Sequence, residues 1–169
     1  APWAEWADRF PLAAAHLTGW KEQLLGRDKG ALPKEQWYAW GRRQGLDAPG
    51  PKLLTTTFNR APAFVLDPSD ALFCNGYSVT PRNCGLSAPA LGRVLNSRVM
   101  HYYACVTSFH IEGGYQCYQK NFIETFTIPP LDDGLRDALE AGEPDLDGPL
   151  ASAWGVGLDD VSRLLERYG

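Results

Sequence analysis

The stretch Phe109-His110-Ile111-Glu112-Gly113-Gly114-Tyr115-Gln116-Cys117-Tyr118 decides the fold. Aromatic and β-branched residues flank two glycines that adopt positive φ at little cost, so the run predicts a β-hairpin with Gly113-Gly114 as its loop. Counted from a two-residue loop, alternation puts His110, Glu112, Tyr115 and Cys117 on one face and Phe109, Ile111, Gln116 and Tyr118 on the other. Upstream, Lys52 to Phe58 is apolar and β-branched. Ala63 to Leu66, Asp67-Pro68-Ser69-Asp70 and Ala71 to Cys74 form the pattern strand, turn, strand, and Asn75-Gly76 is a further turn or bulge. Leu91, Leu95, Val99, Tyr102 and Val106 recur at helical spacing and predict one helix over 90–106 with a buried face.

Toward the N-terminus, residues 10–30 predict a helix with Pro11 in its first turn and Ala13, Leu17, Trp20 and Leu24 inward. Residues 33–41 predict a short helical turn, and Asp47-Ala48-Pro49-Gly50-Pro51 a break. A last helix is expected over 158–168, with Asp159 and Asp160 in its first turn and Arg167 in its last, as the helix dipole favours. The Asp-, Glu-, Gly- and Pro-rich stretch after Pro130 suggests an exposed connection. Together these patterns predict an α+β fold: a mostly antiparallel or mixed sheet with hairpins, packed by a few helices. The expected plan is a helical lead-in over 1–50, a core over 51–130 and an acidic connection with a final helix over 131–169.

The 169 residues, 44% hydrophobic with six Trp, seven Tyr and seven Phe, suit one domain with a real core. No apolar run is long enough to span a bilayer, so the expectation is an intracellular, cytoplasmic protein with no membrane partner. Cys74, Cys84, Cys105 and Cys117 are spread singly without a CxxC pair, which argues against zinc and for four reduced thiols. The net charge of −4 is uneven: residues 131–169 carry three Lys/Arg against ten Asp/Glu, while 50–130 carry six against four. The acidity of the whole chain therefore says little about its middle.

Catalytic apparatus is not evident. The three histidines, His16, His101 and His110, mark no dyad by spacing, and no P-loop, GxGxxG, GxSxG or HExxH occurs. His110 and Cys117 would face each other on the expected hairpin, which leaves a small thiol hydrolase as a minor reading beside incidental pairing. What remains is recognition. Lys52, Arg60, Arg82, Arg93, Arg98 and Lys120 alternate with Asn59, Asn75, Tyr77, Asn83, Tyr115, Gln116, Tyr118 and Gln119. Cations neutralise phosphates or read guanine, and amides pair with adenine, so this mixture suits DNA. An ordinary polar surface carries the same residue types.

The ordered set Pro51-Lys52-Leu53-Leu54, Ala61-Pro62-Ala63-Phe64-Val65-Leu66-Asp67, Phe73-Cys74-Asn75-Gly76-Tyr77-Ser78-Val79, Leu95-Asn96-Ser97, His101-Tyr102-Tyr103, Gly113-Gly114-Tyr115-Gln116-Cys117-Tyr118-Gln119-Lys120 and Phe122-Ile123-Glu124 to Ile128-Pro129 resembles the TaqI-like C-terminal specificity domain of adenine-specific DNA methyltransferases. Trp37-Tyr38 and Gly41-Arg42-Arg43-Gln44-Gly45-Leu46 look like its lead-in, and the resemblance covers roughly residues 33–130. It implies a DNA-reading module of a bacterial restriction-modification or phage-defence system, working beside a domain that binds S-adenosylmethionine and flips the target adenine. No cofactor is expected within these residues. The only Pro-Pro, in Ile128-Pro129-Pro130-Leu131, has apolar residues where the family's catalytic motif needs an amide or carboxylate and an aromatic ring.

On this reading Lys52, Arg60, Arg82 and Lys120 anchor phosphates of double-stranded DNA, and Asn59, His110, Tyr115, Gln116 and Gln119 contact bases or grooves. Lys120 has a structural alternative, packing its stem on Tyr118. Tyr102, Tyr103, Trp20, Phe64 and Phe109 are expected in the core, and Leu95-Asn96-Ser97 is expected to position the helix against the sheet. A second reading is a protein-interaction module that docks a methyltransferase catalytic chain through Trp3, Trp6, Trp37 and Trp40, without direct base readout.

Overall fold

A computed structural model describes residues 2–41, 50–73 and 75–168, and the chain divides into two units, residues 1–44 and 45–169. The break at Asp47-Ala48-Pro49, the lead-in residues Arg42 to Leu46 and Cys74 lie outside the described residues.

In the first unit the expected long helix is three short ones: α1 (Trp3–Arg9), α2 (Pro11–Gly19) and α3 (Lys21–Leu25), followed by 3-10 turns at Arg27–Gly30 and Lys34–Gln36. Pro11 takes the first turn of α2, where its missing N–H costs nothing. Ala14 rather than Ala13 is buried, and Trp20 is 53% exposed, which corrects its placement in the core. The aromatic residues supply the packing. Trp3 stacks on Trp6 at 5.5 Å and meets Trp37 at 4.6 Å and Tyr38 at 4.9 Å. Arg27 donates to the carbonyls of Trp37 and Ala39 at 2.9 and 3.0 Å, tying the last turn to the helices.

The second unit is α+β, with its described strands in two small antiparallel sheets rather than one central sheet. The apolar run from Lys52 splits into β1 (Lys52–Thr55) and β2 (Phe58–Asn59). The split follows from side chains that bond locally: the Thr56 hydroxyl donates to Asn59 Oδ1 at 2.8 Å, and Asn59 Nδ2 donates to Thr56 O at 3.3 Å. β3 (Val65–Asp67) and β4 (Tyr77–Val79) flank β1, in the registers Leu53↔Leu66 and Leu53↔Val79. Ala71 to Phe73 form no strand, so the third strand of this sheet comes after Asn75-Gly76. Asn75 is left-handed at φ 58°, and a Cβ on Gly76 would lie 2.7 Å from the Thr55 carbonyl, so close strand approach excludes a side chain there.

The helix expected over 90–106 is two helices, α4 (Ala88–Leu95) and α5 (Arg98–Thr107). Each has its own serine N-cap: Ser87 accepts from Ala90 N at 3.2 Å and Ser97 from Met100 N at 3.3 Å. Asn96, in the break between them, donates to Phe64 O and accepts from Phe64 N, both at 2.8 Å. This clamp joins the helix pair to the segment entering β3, the positioning role expected for Leu95-Asn96-Ser97. Phe64 is 4% exposed, whereas Val106 and Phe109 are 49% and 48% exposed, so Val106 at the end of α5 faces outward and Phe109, expected in the core, does so too.

β5 (His110–Ile111) and β6 (Tyr115–Cys117) form the expected hairpin, with β2 on the other side of β6. Its loop has three residues, Glu112-Gly113-Gly114, because Ile111 pairs with Tyr115 and His110 with Gln116. Gly113 and Gly114 hold φ 89° and 78°. One extra loop residue moves the register by one and reverses the expected pairing of faces.

The largest correction concerns residues after Pro130. After a short α6 (Lys120–Ile123), the acidic stretch forms α7 (Asp133–Ala141) and α8 (Asp147–Ala153) before α9 (Leu158–Tyr168). Leu131, Leu135, Leu139, Leu150 and Ala151 join Leu53, Ala90, Val94 and Met100 in one core. Residues 131–169 are thus part of the same body as 51–130. Their carboxylates dock the helices: Glu140 accepts from Ser87 N at 2.8 Å and Ser87 Oγ at 2.5 Å, and Asp147 accepts from Arg98 N at 2.9 Å. Both sit at helix starts, where unpaired N–H groups attract anions. The Ser87 hydroxyl, then its N–H, hold the Glu140 carboxyl below its ordinary value near 4.5. A depressed carboxyl stabilises the fold above its unfolded pKa, and that contribution is lost as pH falls through the folded value. Glu140→Gln is therefore expected to lower the urea midpoint at pH 7, with the gap to wild type closing below about pH 4. A gap that stays constant with pH would contradict this linkage. Among the described residues no helix is long and apolar enough to cross a membrane.

Candidate nucleic-acid interface

The β2-β6-β5 ribbon carries the first group of expected contacts. Arg60 follows β2, and its guanidinium lies 5.2 Å from the centroid of the Tyr115 ring. Both residues are exposed, and Arg60 has no acidic partner among the described residues. An Arg held over a ring by cation–π attraction keeps its charge available at reduced conformational cost. Asn59 is half-buried and occupied with Thr55 Oγ1, the Thr56 carbonyl and the Thr56 hydroxyl, so it shapes the ribbon's entry. His110 is exposed and meets Tyr168 edge-on at 5.1 Å.

Gln116 is the ribbon residue that the structure removes from the surface. It is fully buried between Asn59 and His110, and both its Nε2 and Oε1 lack a hydrogen-bond partner. Tyr118 OH and His101 Nε2 are buried and unpartnered as well. Gln116 and Tyr118 are two apart on β6 and its continuation, and His101 lies on α5, which packs against β6. Burial holds His101 below its usual range, partly offset by a hydrogen bond to the Arg60 backbone. The polar layer behind the ribbon thus lies beside the Arg60 main chain.

Lys52 requires a correction too. Its side chain is 1% exposed, Nζ donates to the Ser69 carbonyl at 2.6 Å, and Asp67 lies 3.2 Å away. Hydrogen bonds from the Ser69 hydroxyl and N–H, followed by Lys52, hold the Asp67 carboxyl below its ordinary value. A buried, fully engaged ammonium cannot reach a phosphate, so Lys52 is a structural residue.

Arg82 and Lys120, distant in sequence, line one open groove of about 500 Å³ between β4, α4 and α6. Val79, Leu91, Leu95, Ile123, Phe126 and Ile128 give it an apolar floor. Arg82 is exposed with no acidic partner among the described residues, and Lys120 pairs with Glu124 at 3.6 Å across one exposed helical turn. Gln119 is half-buried at the N-cap of α6 and makes no side-chain capping bond. Sequence spacing could not bring Arg82 to Lys120, because their proximity depends on how α6 packs beside β4.

The thiol-hydrolase reading fails on register. Cys117 N donates to Phe109 O, and His110 lies opposite Gln116, so His110 and Cys117 are not cross-strand partners. Cys117 is also 1% exposed. Burial pushes the Cys105 thiol up to about 11, the reverse of an activated nucleophile. In the Pro-Pro segment Ile128 lines the groove and Leu131 is buried, the packing roles their apolar chemistry suggests.

The Trp-rich docking surface is likewise reduced. Trp37 is 5% exposed, and Trp3 and Trp6 are half-buried in the aromatic cluster, leaving Trp40 at 76%. No family model matches the chain, and no curated protein matches it either.

Proposed function

We propose that residues 50–168 form a target-recognition domain that reads double-stranded DNA and directs an adenine-N6 methyltransferase of a restriction-modification or phage-defence system. S-adenosylmethionine and the reacting adenine belong to that associated catalytic domain, and this chain contributes no catalytic residue of its own. The carrying observation is Arg60 lying on Tyr115 at the exposed ribbon, free of acidic partners among the described residues. The ordered resemblance to TaqI-like specificity domains supports the same reading. Arg82 and Lys120 serve as phosphate anchors, His110 and Tyr115 as groove contacts, and Asn59 and Gln119 as supports beside them.

Titration of labelled duplex at several salt concentrations tests this. Binding should weaken steeply with salt, and Arg82→Ala should reduce the slope of log K against log salt by about 0.9. Arg60→Ala should cost about 1–3 kcal/mol and relax base preference. Absence of duplex binding at low salt would refute the reading. Exposed Leu12, Trp20 and Trp40 on the first unit favour a second one, docking of the methyltransferase chain without base readout. Tight binding to a methyltransferase fragment with none to DNA would establish that alternative.

A further inference from the structure

The groove between β4, α4 and α6 combines features that a paired duplex cannot use together. Its rim carries two cations, Arg82 and Lys120, against one carboxylate, Glu124, and its floor is largely apolar. A duplex lying across the two cations offers them phosphates but leaves the floor empty, because its bases are stacked inside. A base drawn out of the stack fills such a floor while its own phosphate stays at the rim.

The floor already contains a braced aromatic ring. Phe126 stacks on Trp154 at 5.3 Å with the planes 17° apart, and Trp154 Nε1 donates to the Thr127 carbonyl at 3.0 Å. Tyr77 lines the same groove from β4. A ring fixed by its neighbours loses little freedom when a base packs on it. The volume of about 500 Å³ is also in the range of small-ligand sites. The exposed Lys120–Glu124 pair, at 3.6 Å, is of the weak surface kind that a phosphate displaces.

We propose that this groove receives one unstacked nucleotide, its base on the Ile123 and Phe126 side of the floor and its phosphate between Arg82 and Lys120. The inference rests on the DNA-binding reading and adds to it a second binding position, separate from the ribbon.

The sequence has three isoleucines, which makes the test direct. Ile123 and Ile128 line the groove, whereas Ile111 lies on the ribbon opposite Tyr115. Isoleucine-methyl NMR of the full chain therefore reports both positions in one spectrum. With a short single-stranded oligonucleotide, the Ile123 and Ile128 methyls should shift, and an abasic strand of equal length should bind at least about five-fold more weakly. Ile123→Trp, which fills the floor, should remove that difference while keeping the salt slope. Equal shifts and affinities with the abasic strand would overturn the inference, since only phosphates would be recognised. Silent Ile123 and Ile128 with a responsive Ile111 on duplex addition would overturn it and leave the DNA reading standing. No response from any isoleucine, with no duplex binding, would remove both.

Discussion

Leu139→Ala is expected to destabilise the second unit by about 3 kcal/mol, a large share of the stability of a domain this size. Leu139 is fully buried on α7, within the core that also holds Leu53, Val94 and Met100. Truncation removes apolar burial and leaves a cavity that helices packed on two sides cannot fully close. Urea unfolding should show a lower midpoint with little change in slope. If residues 131–157 were instead a solvated connection, the substitution would change stability by less than about 0.5 kcal/mol. The acidic segment is thus tested as a packed layer by one side chain.

Lys52→Ala is expected to cost about 2–3 kcal/mol while leaving the salt dependence of DNA binding unchanged. The substitution removes a buried aliphatic stem, the bond to the Ser69 carbonyl and the partner of Asp67. A phosphate anchor would behave in the opposite way: little loss of stability and a shallower salt slope. Measuring both quantities on one variant separates the roles, and a shallower slope with unchanged stability would overturn the assignment. Its neighbours explain why spacing alone suggests a free cation. Lys52 begins β1 directly opposite Asp67 in the strand pairing, a partnership that sequence distance conceals.

What could be read in advance was local. The two glycines marked the hairpin, Pro11 marked a helix start, and the apolar spacing over 90–106 identified the face that α4 and α5 bury. Apolar spacing alone does not show the break between those helices, although Ser97 after Asn96 repeats the capping signal that Ser87 gives α4. The packed acidic segment had a signal as well. Asp132 caps α7, Leu131, Leu135 and Leu139 recur every four residues, and Gly142 ends the helix in the left-handed conformation. Ten carboxylates hid that pattern because charge was equated with exposure, while Glu140 and Asp147 spend theirs on helix starts. The site was less legible. Alternation along β6 could not announce that Gln116 is enclosed, since β2 joins that strand from a segment more than fifty residues away. The Arg82–Lys120 groove depends on the same kind of distant packing.

If the ribbon reads DNA as proposed, the two-residue passage from β1 to β2 constrains how its selectivity can change. Consecutive stretches of chain serve different sheets across Thr56-Thr57, so inserting or deleting a residue there would put the strands on either side out of step. At the tip, Gly113 and Gly114 hold left-handed φ, and a Cβ on Gly114 would lie 3.3 Å from the Tyr168 carbonyl, so of its three residues Glu112 is the one open to other side chains. Under the proposed DNA-reading role, new specificities are therefore more accessible through Glu112 than through the joint that anchors the ribbon.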